Sequence, residues 1–172
     1  MSFKEISPAE FSARPFFLLD KEWALLSAGT QDSFNTMTVS WGAMGTMWRK
    51  PAVTVYVRPQ RYTKEFVERE DIFTLCFFDE SYKKQLAYLG AASGRDENKV
   101  EKAGLTPCFC RGENVPVFKE AKLAMVCRKM YKQDLLAECF IDKQIIPDCY
   151  PGGDFHTMYI AEVLDILEKD AE

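Results

Sequence analysis

The sequence predicts a mainly β protein with a few short helices, built as an antiparallel barrel or sandwich. Short segments rich in β-branched and aromatic residues recur along the chain, and Gly, Pro and Asp residues separate them. Few segments have helical spacing, which favours an antiparallel sheet over a wound α/β sheet. The predicted strands are residues 16–19, 23–27, 34–41, 53–58, 72–77, 123–130 and 159–167.

A short helix is predicted at the chain start, because Ser7 can cap it, Pro8 suits its first position and Glu10 completes a capping box. Other segments between the strands carry capping residues or apolar side chains at helical spacing. These predicted helices are residues 63–69, 81–89 and 96–103. The mixed residues 106–121 are predicted to form a loop.

Length and charge limit the classes of protein to consider. The chain has 172 residues, 47% of them hydrophobic, and we expect a single domain over residues 1–172. Lys+Arg number 22 against 26 Asp+Glu, a net charge of -4 that argues against a nucleic-acid binder. The chain has one histidine, which excludes sites that need two.

Localisation and cysteine chemistry follow from what the sequence lacks. No run of about 18 apolar residues predicts a transmembrane helix, and the start does not resemble a secretory signal. We therefore expect a cytoplasmic protein with its six cysteines reduced. Cys108 and Cys110 would point the same way on a strand, but a metal site needs further ligands, so ordinary buried cysteines are the favoured interpretation and no metal is expected.

A row of hydroxyls marks the segment 34–41. Thr36, Thr38 and Ser40 share one face of the predicted strand, because side chains alternate along it. Such a face can bind a polyhydroxylated or phosphorylated ligand. The alternative, favoured by this segment alone, is a face exposed to solvent.

Cationic and hydroxyl groups follow the next strand. The strand 53–58 ends at Arg58, and Arg61, Tyr62 and Thr63 then open a helix. Forked guanidinium donors beside a helix start favour binding of a phosphate. The alternative is a solvated turn with an ordinary helix cap.

Two other features are less specific. The turn that begins at Ser93 precedes a predicted helix and could approach a ligand, or be an ordinary cap. His156 has an ordinary pKa near neutrality, yet a lone histidine is more often structural. Walker A, GxGxxG and GxSxG motifs are absent from the sequence, so a nucleotide would not be held by a P-loop or Rossmann fold.

Two runs of sequence resemble a known family. They are NTMTVSWGAMGTMWRKPAVTVYVRPQRYT, residues 35–63, and SGRDENKVEKAGLT, residues 93–106. Together they resemble the flavin reductase-like family with the FMN-binding split-barrel fold, and most closely its flavoredoxin branch. The resemblance extends over residues 14–167, nearly the whole chain.

The resemblance implies a six-stranded antiparallel split barrel, a homodimer, and one FMN per subunit at the dimer interface. It places the FMN ring and ribityl chain against Asn35, Met37, Thr38, Ser40 and Trp41. It places the phosphate near Arg58, Arg61, Tyr62 and Thr63, with Ser93 and Lys99 as further contacts.

The resemblance also implies an activity. An oxidoreductase would take a hydride from NAD(P)H onto FMN and pass electrons to an acceptor, with no catalytic side chain strictly required. Alternatively, a flavoredoxin-type protein would be reduced by a partner redox protein. A third interpretation is a barrel that binds another ligand or is purely structural.

His156 is the candidate contact for the nicotinamide, but its spacing departs from the Gly-Asp-His pattern of many flavin reductases. Phe155 stands between Asp154 and His156. On an extended chain, one inserted residue would point the histidine to the opposite side.

A dimer also has a physical argument. Trp41, Met44, Met47 and Trp48 would form an apolar patch that a second subunit covers. The alternative is that these side chains fill the core of their own subunit.

Overall fold

The computed structural model describes residues 3–110 and 114–169. Its strands are β1 Phe3–Ile6, β2 Ala24–Gly29, β3 Phe34–Val39, β4 Gly42–Met47, β5 Lys50–Val57, β6 Ile72–Phe77, β7 Pro107–Cys110, β8 Val115–Phe118, β9 Leu123–Asp134 and β10 Thr157–Lys169. Its α-helices are α1 Pro15–Phe17, α2 Thr63–Arg69, α3 Lys83–Ala91, α4 Lys99–Lys102 and α5 Ile145–Cys149. A π-helical turn at Leu18–Glu22 and 3₁₀ turns at Glu80–Tyr82 and Ala137–Cys139 complete the helical elements of the described residues.

The main sheet curls into a barrel. Its hydrogen-bonded order is β3-β2-β6-β9-β10-β5-β4, so β3 and β4 lie at opposite ends of the path. Yet β3 ends at Val39 and β4 begins at Gly42. Because so short a link cannot span a flat seven-strand path, the two ends of the sheet must approach each other.

The long strands β9 and β10 join the two halves of the barrel. The first half of β10 pairs antiparallel with β5, and its second half pairs with β1 on the same edge. Its pairing with β9 shifts register between Ile160 and Ala161 and again between Val163 and Asp165. Such bulges bend a strand and increase its twist, which lets a long pair follow a closed barrel.

The barrel interior is filled by alternate residues of each strand. On β5, Val53, Val55 and Val57 are buried, as their predicted common face requires. Tyr159 and Ala161 of β10 join them in the same core cluster. A second apolar cluster lies outside the sheet, where α3 packs on β3 and the β7–β8 hairpin covers β2 and β6.

The predicted fold class is confirmed, and the number of strands is larger than expected. The described residues form ten strands, eight of them in the main sheet, where six were predicted. The additional strands include β4, whose Gly42–Met47 sequence gives little β signal, and the short edge strand β1.

Three local predictions are wrong. The first helix is replaced by β1 and a single turn, in which the Ser7 carbonyl accepts hydrogen bonds from the Glu10 and Phe11 amides. Residues 16–19 are helical rather than extended, because Pro15 starts a helical turn. Residues 106–121 contain the β7–β8 hairpin, which is stabilised by burial of β8 in the outer cluster.

Cys76 and Cys127 are buried free cysteines. Burial raises the pKa of the Cys76 thiol to about 12, so it stays protonated. Among residues 3–110 and 114–169, no group of His, Cys, Asp or Glu is arranged to hold a metal ion. No helix in that part of the chain has the length and apolarity needed to span a bilayer.

Candidate binding site

Three segments meet beside the barrel to form a pair of adjoining cavities. They are β3, the loop from β5 into α2, and the turn between α3 and α4. A buried hydrogen bond joins the first two segments, since the Asn35 side-chain amide donates to the Thr63 hydroxyl over 3.0 Å. The turn between α3 and α4 approaches β3 closely at Gly94, where an added Cβ would lie 2.3 Å from Asn35 Oδ1.

The first cavity, called the cationic cavity below, has a volume of about 300 Å³. Basic, hydroxyl and amide side chains surround it. Its lining residues are Asn35, Arg58, Gln60, Arg61, Tyr62, Thr63, Ala91, Ala92, Ser93, Gly94 and Lys99. The structure therefore brings together the predicted arginine loop, the Ser93 turn and Lys99.

Lys99 carries a buried charge that forms no ion pair with an acidic residue in the described part of the chain. Its side chain belongs to a residue that is 3% exposed, and its ammonium donates to the carbonyls of Leu89 and Ala92 at 3.2 and 3.0 Å. Burial, followed by the positive charge of Arg61, lowers the pKa of Lys99 to about 8. Glu97 opposes this shift, but Glu97 is itself bonded to Lys102 and Tyr88.

Arg61 is the second uncompensated cation of this cavity. Burial lowers its pKa, and no carboxylate in the described part of the chain forms an ion pair with it. Two neighbouring cations removed from water are unfavourable unless an anion accompanies them. Forked donors from Arg61 and a point charge from Lys99 suit the oxygens of a phosphate group.

Arg58 has a different environment from Arg61. Its guanidinium donates to Asp154 Oδ2 over 2.5 Å and to the Cys149 carbonyl over 2.8 Å, and Gln60 also donates to Asp154. The guanidinium carbon lies 5.0 Å from the centre of the Tyr150 ring. Arg58 therefore anchors the segment before β10, and its charge is largely balanced by Asp154.

The second cavity, called the ring cavity below, has a volume of about 280 Å³. Arg58 and Arg61 line both cavities, so the two adjoin. Aromatic, apolar and hydroxyl groups share its walls. Its lining residues are Met37, Thr38, Val39, Ser40, Trp41, Tyr56, Arg58, Arg61 and His156.

The predicted row of hydroxyls is not a solvent-exposed face. Thr36 is buried, bonded to Ser27 Oγ at 2.8 Å and donating to the Leu26 carbonyl at 3.1 Å. Thr38 donates to the Leu86 carbonyl of α3 over 2.6 Å, while still lining the ring cavity beside Ser40. Two of the three hydroxyls therefore bond within the fold.

The turn between α3 and α4 is held by local polar contacts. Ser93 Oγ accepts a hydrogen bond from the Arg95 amide over 3.2 Å. The Arg95 guanidinium pairs with Glu65 and lies 4.5 Å above the Tyr62 ring. Arg95 therefore ties this turn to α2, across the loop that carries Arg61.

His156 lies in the ring cavity, contrary to the prediction that Phe155 turns it away. It is 8% exposed, its ring is 5.1 Å from that of Trp41, and its Nδ1 is 2.8 Å from the Tyr150 hydroxyl. The prediction assumed an extended chain, but β10 begins only at Thr157. Burial, and then the charge of Arg58, lowers the pKa of His156 to about 4, so the imidazole is neutral near pH 7.

Sequence reasoning missed Tyr150, Tyr56 and the partners of Arg58. Tyr150 ends α5 and packs against Phe155 and Phe140, with ring centres 5.0 and 5.8 Å away. No spacing in the sequence connects α5 with the end of β5. The pairing of Arg58 with Asp154 likewise depends on β5 and β10 lying side by side, which no local sequence pattern indicates.

The apolar residues around the β3–β4 link divide into two groups. Trp41 and Trp48 are 46% and 53% exposed, and Met47 is also exposed. Met44 instead packs against the barrel core. The alternative that these side chains fill the core of their own subunit is therefore correct for Met44. It is wrong for Trp41, Met47 and Trp48.

Solved structures with this architecture identify the fold. An FMN-binding domain of a flavin reductase-like enzyme from Shewanella baltica matches with a TM-score of 0.70 and 19% identity, over 96% of this chain and 76% of that one. Flavoredoxin of Desulfovibrio vulgaris matches with a TM-score of 0.66 and 21% identity, over 86% and 69% of the two chains. The fold is therefore the antiparallel split barrel of flavin reductase-like proteins.

A match between the sequence and a family model identifies the family. The model of the flavin reductase-like domain matches residues 19–172, and the chain belongs to that family. A protein of Archaeoglobus fulgidus is 25% identical over 137 residues, which make up 80% of this chain and 67% of that protein. The resemblance seen in residues 35–63 and 93–106 is thereby confirmed.

Proposed function

We propose that this chain binds FMN and acts as a flavin-dependent oxidoreductase. The observation that carries the proposal is the pair of uncompensated cations, Arg61 and Lys99, in a cavity that adjoins an aromatic one. A phosphate monoester would neutralise both cations, with the hydroxyls of Thr63 and Ser93 as further contacts.

The arrangement of the two cavities supports an elongated ligand with a phosphate at one end. Asn35 lines the cationic cavity, and Met37 to Trp41 line the ring cavity. Asn35 and Ser40 are therefore about 17 Å apart along an extended strand. The ribityl chain of FMN would follow β3, with its hydroxyls near Asn35, Thr38 and Ser40.

The chain's own residues would position the reactants rather than exchange protons with them. Trp41, Met37 and Tyr56 give the ring cavity its apolar walls, and His156 is neutral near pH 7. Arg58 is held by Asp154 and would offer positive potential at the junction of the cavities. Bound FMN would supply the redox chemistry, taking a hydride from NAD(P)H and passing electrons to an acceptor.

A homodimer would complete the ring cavity. Trp41, Met47 and Trp48 are exposed near β4, which is one of the two end strands of the barrel path. A second copy packed on this edge would bury an apolar surface that a monomer rarely leaves open.

A second candidate function is electron transfer of the flavoredoxin type, with a partner redox protein in place of the nicotinamide. It is favoured by exposed apolar residues of the 135–155 segment, among them Leu136, Ile141 and Ile145. The same segment carries Tyr150, which packs against Trp41 of the ring cavity. A protein partner could dock there within reach of Trp41 and the flavin edge.

Reconstitution with FMN tests the proposal, followed by anaerobic reduction. Rapid loss of the oxidised flavin absorbance on adding NADH or NADPH would support the reductase. Reduction by a reduced ferredoxin but by neither nicotinamide would support the electron-transfer protein. A colourless chain that takes up no FMN would contradict both.

A further inference from the structure

We propose that Tyr150 fixes His156 as a neutral imidazole with its proton on Nε2, and that this N–H donates a hydrogen bond to a carbonyl oxygen of the molecule in the ring cavity. The inference rests on the proposed function, because the candidate carbonyls belong to the flavin ring or to a nicotinamide carboxamide. Tyr150 is then a positioning residue that acts through His156.

The hydrogen bond between the two side chains determines where the proton lies. The Tyr150 hydroxyl and His156 Nδ1 are 2.8 Å apart, and both residues are buried. In the described part of the chain, the Tyr150 hydroxyl has no other acceptor. If Nδ1 carried the proton, the phenol proton would be left buried without a partner, at a cost of about 1–3 kcal/mol. The phenol therefore donates to Nδ1, and the imidazole proton resides on Nε2.

The second ring nitrogen is left for a ligand. Nε2 lies across the ring from Nδ1, and no residue within 3–110 or 114–169 accepts a hydrogen bond from it. His156 is more than nine-tenths buried, yet it lines the ring cavity. A carbonyl oxygen in that cavity would accept the bond that the protein leaves unmade.

The surroundings keep the imidazole uncharged. Arg58 faces it from the end of β5, and Asp154 faces it from its own loop, bonded to Arg58. Tyr56 and Trp41 pack around it with ring centres 6.4 and 5.1 Å away. Burial and the Arg58 charge both lower the pKa of His156, so the N–H is available across the physiological pH range without a proton being transferred.

Tyr150 itself is held in place from several directions. Phe155, the residue inserted before His156, lies 5.0 Å from its ring, and Trp41 lies 6.4 Å away. The Arg58 guanidinium covers one face at 5.0 Å. The insertion therefore gives Tyr150 a packing partner that orients its hydroxyl toward Nδ1.

Nitrogen-15 NMR tests the tautomer without any activity measurement. Because the chain has one histidine, a labelled protein free of a histidine tag gives a single imidazole spin system. We expect Nε2 protonated and Nδ1 unprotonated from pH 6 to 8. In Tyr150→Phe, we expect a mixture of the Nδ1–H and Nε2–H tautomers, with the imidazole still neutral because burial and the Arg58 charge are unchanged. A wild-type proton on Nδ1, or an unchanged spectrum in Tyr150→Phe, would overturn the proposal.

Ligand addition to the same sample identifies the acceptor. A downfield shift of the Nε2 proton on adding FMN indicates a flavin carbonyl, and a shift only when NAD⁺ follows indicates the carboxamide. No shift with either overturns the donor role. If FMN does not bind at all, the proposed function fails, whereas the tautomer in the ligand-free protein still tests the part played by Tyr150.

Variants of His156 separate hydrogen bonding from packing. His156→Gln keeps an N–H donor near the Nε2 position, and His156→Leu has none. We expect His156→Leu to bind the accepting ligand about tenfold more weakly and His156→Gln to recover most of that loss. Equal affinities in the two variants would contradict the donor role, and thermal unfolding checks that both are folded.

Discussion

At the scale of single residues, Lys99 is the most informative group in the cationic cavity. Its ammonium donates to two carbonyls at the end of α3, but among the described residues its charge has no ion-pair partner, and its pKa is lowered to about 8. An anion bound beside it would reverse much of this shift. Ligand binding and protonation of Lys99 are therefore coupled.

This coupling predicts proton uptake when FMN binds. Near pH 8, the free protein holds Lys99 about half protonated, and the phosphate would raise the pKa, so about half a proton is taken up. Affinity should consequently decrease as the pH rises above 8. Calorimetry in two buffers with different ionisation enthalpies measures the uptake.

Two lysine variants complete that experiment. Lys99→Met should abolish the uptake and weaken FMN binding at least tenfold, corresponding to about 1.4 kcal/mol. Lys84→Met is the matched control, because Lys84 is an exposed lysine of α3 that lines neither cavity. Wild-type binding with no proton uptake would refute a role for Lys99 at the phosphate.

Local chemistry predicted some site residues better than others. Arg61, Tyr62 and Thr63 follow from a loop that combines donors with a helix start, and the structure places all three at the cationic cavity. The polar character of the cationic cavity can thus be predicted from the sequence. The pairing of Arg58 with Asp154 cannot, because it depends on β5 and β10 lying side by side.

At the scale of elements, the turn between α3 and α4 closes the cationic cavity through close packing. An added Cβ at Gly94 would lie 2.3 Å from Oδ1 and 3.0 Å from Cγ of Asn35. Asn35 would have to move, and its hydrogen bond to Thr63 would be disturbed. The close packing of this turn against β3 therefore requires glycine at position 94.

Gly94→Ala should accordingly weaken FMN binding more than it weakens the fold. We expect about a tenfold loss of affinity, with a smaller change in unfolding free energy, because the displaced atoms lie at the cavity wall. Fluorescence titration and chemical denaturation measure the two quantities. Gly152→Ala is the control, since its Cβ would meet only Asp154 at 3.9 Å, and equal affinities for the two variants would count against this account.

Elements with strong periodicity were predicted well, and short or context-dependent ones were not. The alternating valines of β5 and the helix over Thr63–Arg69 are found as predicted. Strand β4 is stabilised by pairing with β5 rather than by its own residues, so its sequence carries little signal. The β7–β8 hairpin likewise depends on burial against the outer cluster.

At the scale of the whole molecule, barrel closure creates the site. It brings Trp41, after β3, beside His156 before β10, although the two strands are not neighbours in the sheet. The sequence alone could suggest this juxtaposition only through family resemblance, because no local pattern encodes the closure of a sheet. The edge strand β4 and its exposed residues remain on the outside of the closed barrel.

The proposed dimer makes a prediction at this scale. Trp48→Glu should shift the protein toward monomer, because it places a charge in an apolar patch that a second copy would bury. Sedimentation velocity over a range of concentrations measures the shift. Ala87→Glu, on the exposed part of α3, controls for the added negative charge. A monomeric wild type, or a Trp48→Glu variant that stays dimeric, would contradict this interface.

The most direct measurement for the account as a whole compares the affinities of FMN and riboflavin, which differ by the phosphate. We expect wild-type protein to bind FMN at least a hundredfold more tightly, and the Arg61→Met, Lys99→Met double variant to lose most of that preference while still binding riboflavin. Equal wild-type affinities for the two flavins, or an FMN preference that survives loss of both cations, would contradict the assignment of the cationic cavity.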